Sequence, residues 1–83
     1  MKAKEMFEKL GYNFKKGWLY KRHVDALNYY KEIPDDEYNE EYILFDVVEQ
    51  TFWKEDSYGT ALEITQEELQ AVIQQCKEMG WVK

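Results

Sequence analysis

The densest group of chemically capable side chains is a run of carboxylates near the middle of the chain. A calcium-binding loop of the EF-hand kind needs a glycine at its centre, and this run contains none. Charge runs of this type are typical of solvated loops and of surfaces that recognise a basic partner. We therefore predict a partner-binding acidic surface or a solvated loop, rather than a metal site, from six acids within ten residues: Glu32, Asp35, Asp36, Glu37, Glu40 and Glu41.

A second group alternates cations with aromatic rings between residues 12 and 22. Proteins that bind single-stranded nucleic acid combine basic side chains with rings on which bases stack. An exposed hairpin tip gives the same pattern when its lysines lie in water and its rings in the core. The alternative interpretation is therefore a nucleic-acid face formed by Lys15, Lys16, Trp18, Lys21 and Arg22.

The other reactive residues do not form a catalytic pattern. His23 has no serine or cysteine beside it in the sequence, and Cys76 falls in an apolar helical stripe, where a thiol packs as a small hydrophobe. One cysteine and one histidine exclude a Cys/His zinc site within a single chain. The sequence also lacks a glycine-rich phosphate loop, a His-Glu pair at metal spacing and a nucleophile elbow. We expect a protein that is not an enzyme and that needs no cofactor or metal.

Length and charge indicate one domain with an uneven surface. A chain of 83 residues has room for a single core, so residues 1–83 are expected to form one domain. The net charge is −6, but residues 1–31 carry +5 and residues 32–83 carry −11. A surface whose charges are mostly negative attracts basic proteins and discourages the binding of nucleic acid. No apolar run approaches 18 residues and no signal-peptide pattern is present, which favours a cytoplasmic location without membrane association.

The C-terminal segment reads as an amphipathic helix with both ends encoded. Thr65 and Glu68 form a capping-box pattern before the apolar positions begin. Gly80 stands where a left-handed C-cap residue is needed. The apolar positions recur at spacings of three and four, which predicts one buried side made of Leu69, Val72, Ile73, Cys76 and Met79.

A shorter amphipathic helix is predicted from Lys2 to Leu10, with Gly11 as its stop. The two helix ends resemble each other, because each has a polar turn, an apolar anchor, a glycine and then an aromatic residue. Tyr12 and Trp81 hold the aromatic positions. We predict the same local structure at both ends, with each aromatic folding back on the last turn.

The stretch between the helices alternates in a way that predicts strands. Lys15-Lys16-Gly17 is typical of a three-residue hairpin loop, which would place Phe14 opposite Trp18 and Tyr12 opposite Tyr20. The segment from Asp25 to Ile33 fits a helix and a strand equally well. The residues from Pro34 to Glu37 are predicted to form a loop.

The most strand-like segment runs from Tyr42 to Val48, with Ile43, Phe45 and Val47 on the face expected to meet the helices. Glu49-Gln50 is a predicted turn into a strand from Thr51 to Lys54, and a further strand is predicted from Thr60 to Ile64. The expected fold is α+β: a two-layer sandwich with N-terminal and C-terminal helices packed on one face of an antiparallel sheet of about four strands.

Both ends of the chain resemble small uncharacterised proteins encoded by phages and prophages of Gram-positive bacteria. The resemblance lies in residues 2–12, 64–71 and 78–81, about a third of the chain. These motifs are caps and core anchors, so the resemblance implies no functional residue. It implies a setting: a small accessory protein in a bacterial cytoplasm.

Charge and resemblance together favour a non-catalytic interaction protein that binds a basic host or phage protein. In its most specific form it would inhibit a host defence or nucleic-acid-processing complex by mimicking nucleic-acid charge. A small nucleic-acid-binding module that uses the segment from Tyr12 to Arg22 is the alternative. The fourteen aromatic residues exceed what so small a core hides, so a homodimer face is a third possibility.

Overall fold

The computed structural model describes residues 1–19 and 24–81 and confirms the α+β prediction. The elements in chain order are α1 (Ala3–Lys9), β1 (Asn13–Leu19), β2 (Val24–Ile33), β3 (Asp36–Asp46), β4 (Thr51–Asp56) and α2 (Gln66–Glu78). The four strands form one antiparallel sheet in the order β1-β2-β3-β4, so each strand pairs with its neighbour in the chain. The segment from Asp25 to Ile33, which by sequence fits a helix and a strand equally well, is part of strand β2.

Both helices lie on the same face of the sheet and share one core. The shortest dimension of the molecule is 19 Å, which matches one layer of helices on one sheet. Phe7 of α1 lies at the centre, where its ring stacks on Tyr29 of β2 with ring centres 3.9 Å apart. The rings of Tyr12 and Phe45 form T-shaped pairs with Phe7, with ring centres 5.7 and 6.3 Å from the centre of the Phe7 ring. These aromatic contacts join α1 to the two central strands.

The two helix ends have the same structure, as the sequence predicts. Gly11 and Gly80 both adopt positive φ, 92° and 77°. In each case the amide of the following aromatic donates to a carbonyl five residues back: Tyr12 to Phe7 and Trp81 to Cys76. The chain therefore turns back on the helix, and the aromatic side chain is directed into the core.

The capping box of α2 is confirmed, but its buried stripe is rotated from the predicted one. Thr65 accepts from the Glu68 amide at 3.1 Å, and Glu68 accepts from the Thr65 amide at 3.0 Å. Val72 and Cys76 are buried, whereas Leu69 and Ile73 remain 42% and 43% exposed. The buried residues of this helix are Glu68, Ala71, Val72, Gln75 and Cys76.

Two packing requirements explain this rotation. The two helices are in contact, and Ala3 of α1 and Ala71 of α2 are both fully buried in their shared core, where small side chains allow close approach. Gln75 is turned inward because its side-chain oxygen accepts from the hydroxyl of Tyr29 at 2.6 Å. A buried tyrosine hydroxyl needs such a partner, and satisfying it outweighs burial of a further leucine or isoleucine.

Helix α1 obtains its N-terminal cap from α2. Lys2 stands at the cap position but supplies no side-chain hydrogen bond. Instead, the amide of Ala3 donates to the Glu78 carboxylate at 2.7 Å. The side-chain amide of Gln74 donates to the same carboxylate oxygen at 3.0 Å. A helix of seven residues is marginal alone, so α1 depends on this tertiary contact.

The prediction of a hairpin loop at Lys15-Lys16-Gly17 is wrong, because these residues lie in the middle of β1. Strand β1 pairs with β2, so Phe14 faces Tyr29 and Trp18 faces Asp25. Pairing with the ten-residue strand β2 gives β1 more ladder hydrogen bonds than a hairpin closed on itself. Tyr20, predicted to face Tyr12, lies with residues 21–23 outside the described part of the chain.

The β2–β3 turn is shorter than the predicted loop and is followed by an irregularity. Pro34 and Asp35 alone form the turn, and Asp35 has φ 68°, which suits the third position of a type II turn after proline. Glu32 pairs with Glu40 while Ile33 pairs with Asp36. Residues 37–39 of β3 therefore bulge out of the ladder.

The strand prediction around residues 42–48 holds for its buried positions but extends too far. Ile43 and Phe45 are fully buried beneath the helices. Val47 is 38% exposed, because β3 ends at Asp46, whose carboxylate accepts the amides of Val48 and Glu49 at 3.0 and 2.9 Å. The predicted last strand is reduced to one bridge, between Glu55 and Ala61.

Replacing Phe7 by alanine is expected to remove most of the stability. The side chain is fully buried, and losing a buried phenylalanine typically costs about 3–5 kcal/mol. A chain of this length is worth roughly 4–12 kcal/mol in total. Urea unfolding followed by circular dichroism measures the change. The control is Tyr38→Ala, since Tyr38 is 81% exposed; equal midpoints for the two variants would contradict this description of the core.

Candidate functional site

The predicted acidic surface maps to the β2–β3 hairpin, with one exception. Asp36 and Glu40 are half-buried, and the other three members of the hairpin are exposed. Residues 32–37 enclose an open depression of about 600 Å³ around the turn. We call this group of five carboxylates the acidic hairpin: Glu32, Asp35, Asp36, Glu37 and Glu40.

Glu41 does not belong to this surface. Successive residues of a strand point to opposite faces, so Glu41 is directed toward the helices when Glu40 is directed away from them. Its carboxylate lies 2.9 Å from the ammonium of Lys54 and its side chain is only 17% exposed. The prediction that Glu41 contributes to the partner-binding surface is therefore not supported by its placement.

Lys54 and Glu68 form a buried ion pair beside Glu41. The Lys54 ammonium donates to the two Glu68 oxygens at 2.9 and 3.2 Å. The Tyr12 hydroxyl donates to the same carboxylate at 2.5 Å. Together with the capping bond from Thr65, these contacts make Glu68 a junction between α2, β4 and the segment that follows α1.

The charges of this network are fixed by their surroundings. Burial opposes the charged form of Lys54, but its bonds to Glu68 and Glu41 outweigh burial and raise its pKa. Burial also opposes ionisation of Glu68, but the Thr65 amide, the Tyr12 hydroxyl and Lys54 hold the pKa of that carboxyl below its usual value. A cation and a carboxylate locked in this way stabilise the fold rather than exchange protons near neutral pH.

Within the acidic hairpin, two carboxylates are placed directly opposite each other. Glu32 and Glu40 are cross-strand partners in the β2–β3 ladder. Like charges in such pairs are destabilising, by a few tenths of a kcal/mol up to about 1 kcal/mol. Among residues 1–19 and 24–81, no cation lies within ion-pair distance of either one, because both ion pairs there belong to Lys54.

A groove runs beside this pair and is lined by groups from β1, β2 and β3. Its volume is about 360 Å³. The nearby cation, Lys31, is engaged elsewhere: its ammonium donates to the Leu10 carbonyl at 3.4 Å and lies 4.6 Å above the centre of the Tyr12 ring. The lining residues are Gly11, Asn13, Tyr30, Lys31, Glu32 and Glu40.

The residues predicted as an alternative nucleic-acid face are not gathered at a loop tip. Lys15 and Lys16 are both exposed, but they are neighbours in strand β1 and therefore point to opposite faces of the sheet. Trp18 lies in the same strand, opposite Asp25. Lys21, Arg22 and His23 lie outside the described residues. The two described lysines thus do not form one basic surface.

Cys76, which is predicted to pack as a small hydrophobic residue, is buried, and burial raises the pKa of its thiol. In the part of the chain that the structure describes, no three metal-ligating side chains come together. The same part contains no helix that is long and apolar enough to cross a membrane.

Comparisons of the chain with protein-family models, curated proteins and solved structures find no match.

The buried network around Glu68 was missed in the sequence, although one signal for it was present. Lys54 is two residues after Phe52 in a predicted strand, so it shares the Phe52 face and points toward the helices. A lysine on a core-facing position requires a buried carboxylate. The sequence pattern indicates only a helix cap for Glu68, because its long-range partners cannot be seen from local spacing.

Lys54→Met is expected to destabilise the protein by about 3–5 kcal/mol, because it leaves two nearby carboxylates without their cation. Converting Glu41 and Glu68 to glutamine in the same chain removes the unpaired charge and should restore part of this loss. Urea unfolding at neutral pH measures both variants. The exposed Lys77→Met is the matched control, and a Lys54 variant as stable as this control would show that the network contributes little.

The pH dependence of stability should have an alkaline limb set by buried tyrosines. Burial raises the pKa of Tyr29 to about 12, and burial with the bond to Glu68 raises that of Tyr12 further. Both groups stabilise the folded state below their ordinary pKa of about 10, and that contribution is lost as pH rises through the folded values. The free energy of unfolding should therefore fall above about pH 10.

Tyrosinate absorbance tests this directly. In the native protein, Tyr12 and Tyr29 should ionise only as the chain unfolds, whereas in denaturant all seven tyrosines should titrate together. Tyr12→Phe and Tyr29→Phe should each remove one late-titrating group. Tyr58→Phe, at a site that is 72% exposed, is the control and should leave both late-titrating groups in place. A single native titration near pH 10 for every tyrosine would contradict the burial described here.

Proposed function

We propose that this chain is a non-catalytic interaction protein that binds a basic protein partner through the acidic hairpin. The observation that carries the proposal is the Glu32–Glu40 pair, in which two carboxylates face each other across the ladder without a cation among the described residues. This arrangement costs stability in the free protein. A basic partner would relieve that cost on binding, which adds to its affinity.

The distribution of charge supports a partner that is a basic protein. Residues 32–83 carry −11, and the hairpin concentrates five of these charges at one end of the sheet. Such a field accelerates encounter with a basic surface and repels phosphate.

The resemblance of the chain ends to phage-encoded proteins extends the proposal to a biological setting. In that setting the basic partner would be a host defence or nucleic-acid-processing complex in a bacterial cytoplasm. The acidic hairpin would occupy a channel or groove that otherwise receives nucleic acid. Inhibition then follows from competition between the carboxylates and phosphates for the same basic residues.

Affinity capture from a bacterial lysate tests the proposal. The chain should retain basic, nucleic-acid-handling proteins at about 50 mM salt and lose most of them at about 200 mM, because the attraction is electrostatic. A variant with Asp35→Asn, Asp36→Asn and Glu37→Gln should lose this capture. Asparagine tolerates the positive φ of residue 35, so the turn is preserved.

The matched control changes the same number of charges elsewhere. Glu49, Glu63 and Glu67 are exposed and lie outside the hairpin, so their conversion to glutamine should leave capture intact. Equal losses in the two variants would mean that overall charge, and not the hairpin, determines binding. Tight binding of a single-stranded oligonucleotide at about 50 mM salt would instead favour the nucleic-acid alternative. Light scattering on the purified chain measures whether it forms a homodimer.

A further inference from the structure

The sheet has a second face that no helix covers within the described ranges. The helices occupy the face that carries Tyr29, Ile43 and Phe45. Tyr30 and Tyr42 are cross-strand partners on the opposite face, with ring centres 6.4 Å apart. Trp53 lies on that face one strand away, opposite Leu44. We call the surface formed by Tyr30, Tyr42 and Trp53 the aromatic face.

The aromatic face is only partly protected from water. Its three rings are half-buried, so each keeps part of its surface available for contact. Tyrosine and tryptophan are the residues most enriched at the centre of protein interfaces. They supply a large contact area and lose little conformational freedom on binding.

Carboxylates surround these rings. Glu40 and Glu32 are directed to the same face at one end, and Glu55 is the cross-strand partner of Tyr42. Glu40 also accepts from the Tyr42 hydroxyl at 3.3 Å, which holds its carboxylate beside the ring. None of the three carboxylates has an ion-pair partner among residues 1–19 and 24–81.

The groove of about 360 Å³ joins the aromatic face to the acidic hairpin, since Tyr30, Glu32 and Glu40 line it. Lys31 does not neutralise these carboxylates, because its ammonium is directed to Leu10 and the Tyr12 ring. An aromatic ring with two adjacent carboxylates is the environment that a guanidinium group prefers. The guanidinium group stacks on the ring and donates hydrogen bonds to the carboxylates at the same time.

We infer that the aromatic face binds an arginine-containing basic segment of a protein partner, with one arginine seated in the groove against Tyr30 between Glu32 and Glu40. The inference rests on the proposed function, because it assigns a face and a partner chemistry to the same acidic surface.

Charge complementarity selects this occupant over the others that could cover an aromatic face. A second copy of the chain would bring Glu32, Glu40 and Glu55 against their own counterparts, and like charges in an interface are costly. An apolar partner would bury the same carboxylates without compensation. A nucleic acid would meet them with phosphates. An arginine side chain satisfies both the rings and the carboxylates.

The test is an NMR titration of the full chain with a synthetic peptide of alternating arginine and serine, at about 50 mM salt, where exposed charges are weakly screened. We expect the largest shift changes in the ring signals of Tyr30 and Tyr42 and in the amides of Glu32 and Glu40. The same peptide with lysine for arginine should bind more weakly, because an ammonium lacks the planar fork.

Three variants locate the contact. Tyr30→Leu keeps an apolar side chain but removes the ring face, and should weaken arginine-peptide binding about two- to five-fold. Tyr38→Leu is the matched control at an exposed position in the bulge and should leave affinity unchanged. Tyr42→Phe retains the ring and should retain most of the binding. Urea midpoints establish that the variants remain folded, and the shift map on the unmodified chain does not depend on any variant.

The outcomes separate this inference from the proposed function. Two results together would overturn the aromatic-face assignment and leave the acidic hairpin as the binding site. The shift changes would be confined to residues 34–37, and the Tyr30→Leu variant would bind the arginine peptide as tightly as the unmodified chain does. Absence of peptide binding while the lysate capture succeeds would also overturn only the inference. Failure of both experiments would overturn both proposals.

Discussion

The arrangement of the two layers depends on the hydrogen bonds and the ion pair that the buried carboxylate of Glu68 forms. This carboxylate closes the first turn of α2 by accepting the Thr65 amide, and it reaches across the core to Tyr12 and Lys54. The three partners belong to three parts of the chain, so one ionised group fixes the position of α2 over the sheet and of the segment that follows α1. Such a group is costly to bury, and it is retained because each of its oxygens is hydrogen-bonded.

The rotation of α2 follows from this constraint. Turning Glu68 and Gln75 toward Tyr12 and Tyr29 places Leu69 and Ile73 at the margin of the core. The helix therefore gives up part of its apolar burial in order to satisfy two tyrosine hydroxyls. A purely apolar seam would bury more surface, but it would leave those hydroxyls without acceptors.

The parts of the structure that local chemistry determines were predictable from the sequence. Gly11 and Gly80 end the helices as expected, and Thr65 with Glu68 forms the expected cap, because each motif needs only residues within five positions of one another. Long-range features were not predictable in this way. Strand β1 pairs with β2, and Glu41 forms an ion pair with Lys54 and so does not join the acidic surface. Both features depend on partners that local patterns do not reveal.

The cap of α1 has a consequence for the order in which the elements fold. The first amide of this helix is satisfied by Glu78, and the two residues are separated by 75 positions. Because a helix of seven residues is marginal alone, α1 gains this partner only once α2 has packed beside it. Helix α1 is therefore expected to form late in folding, after the long loop between the two residues has closed.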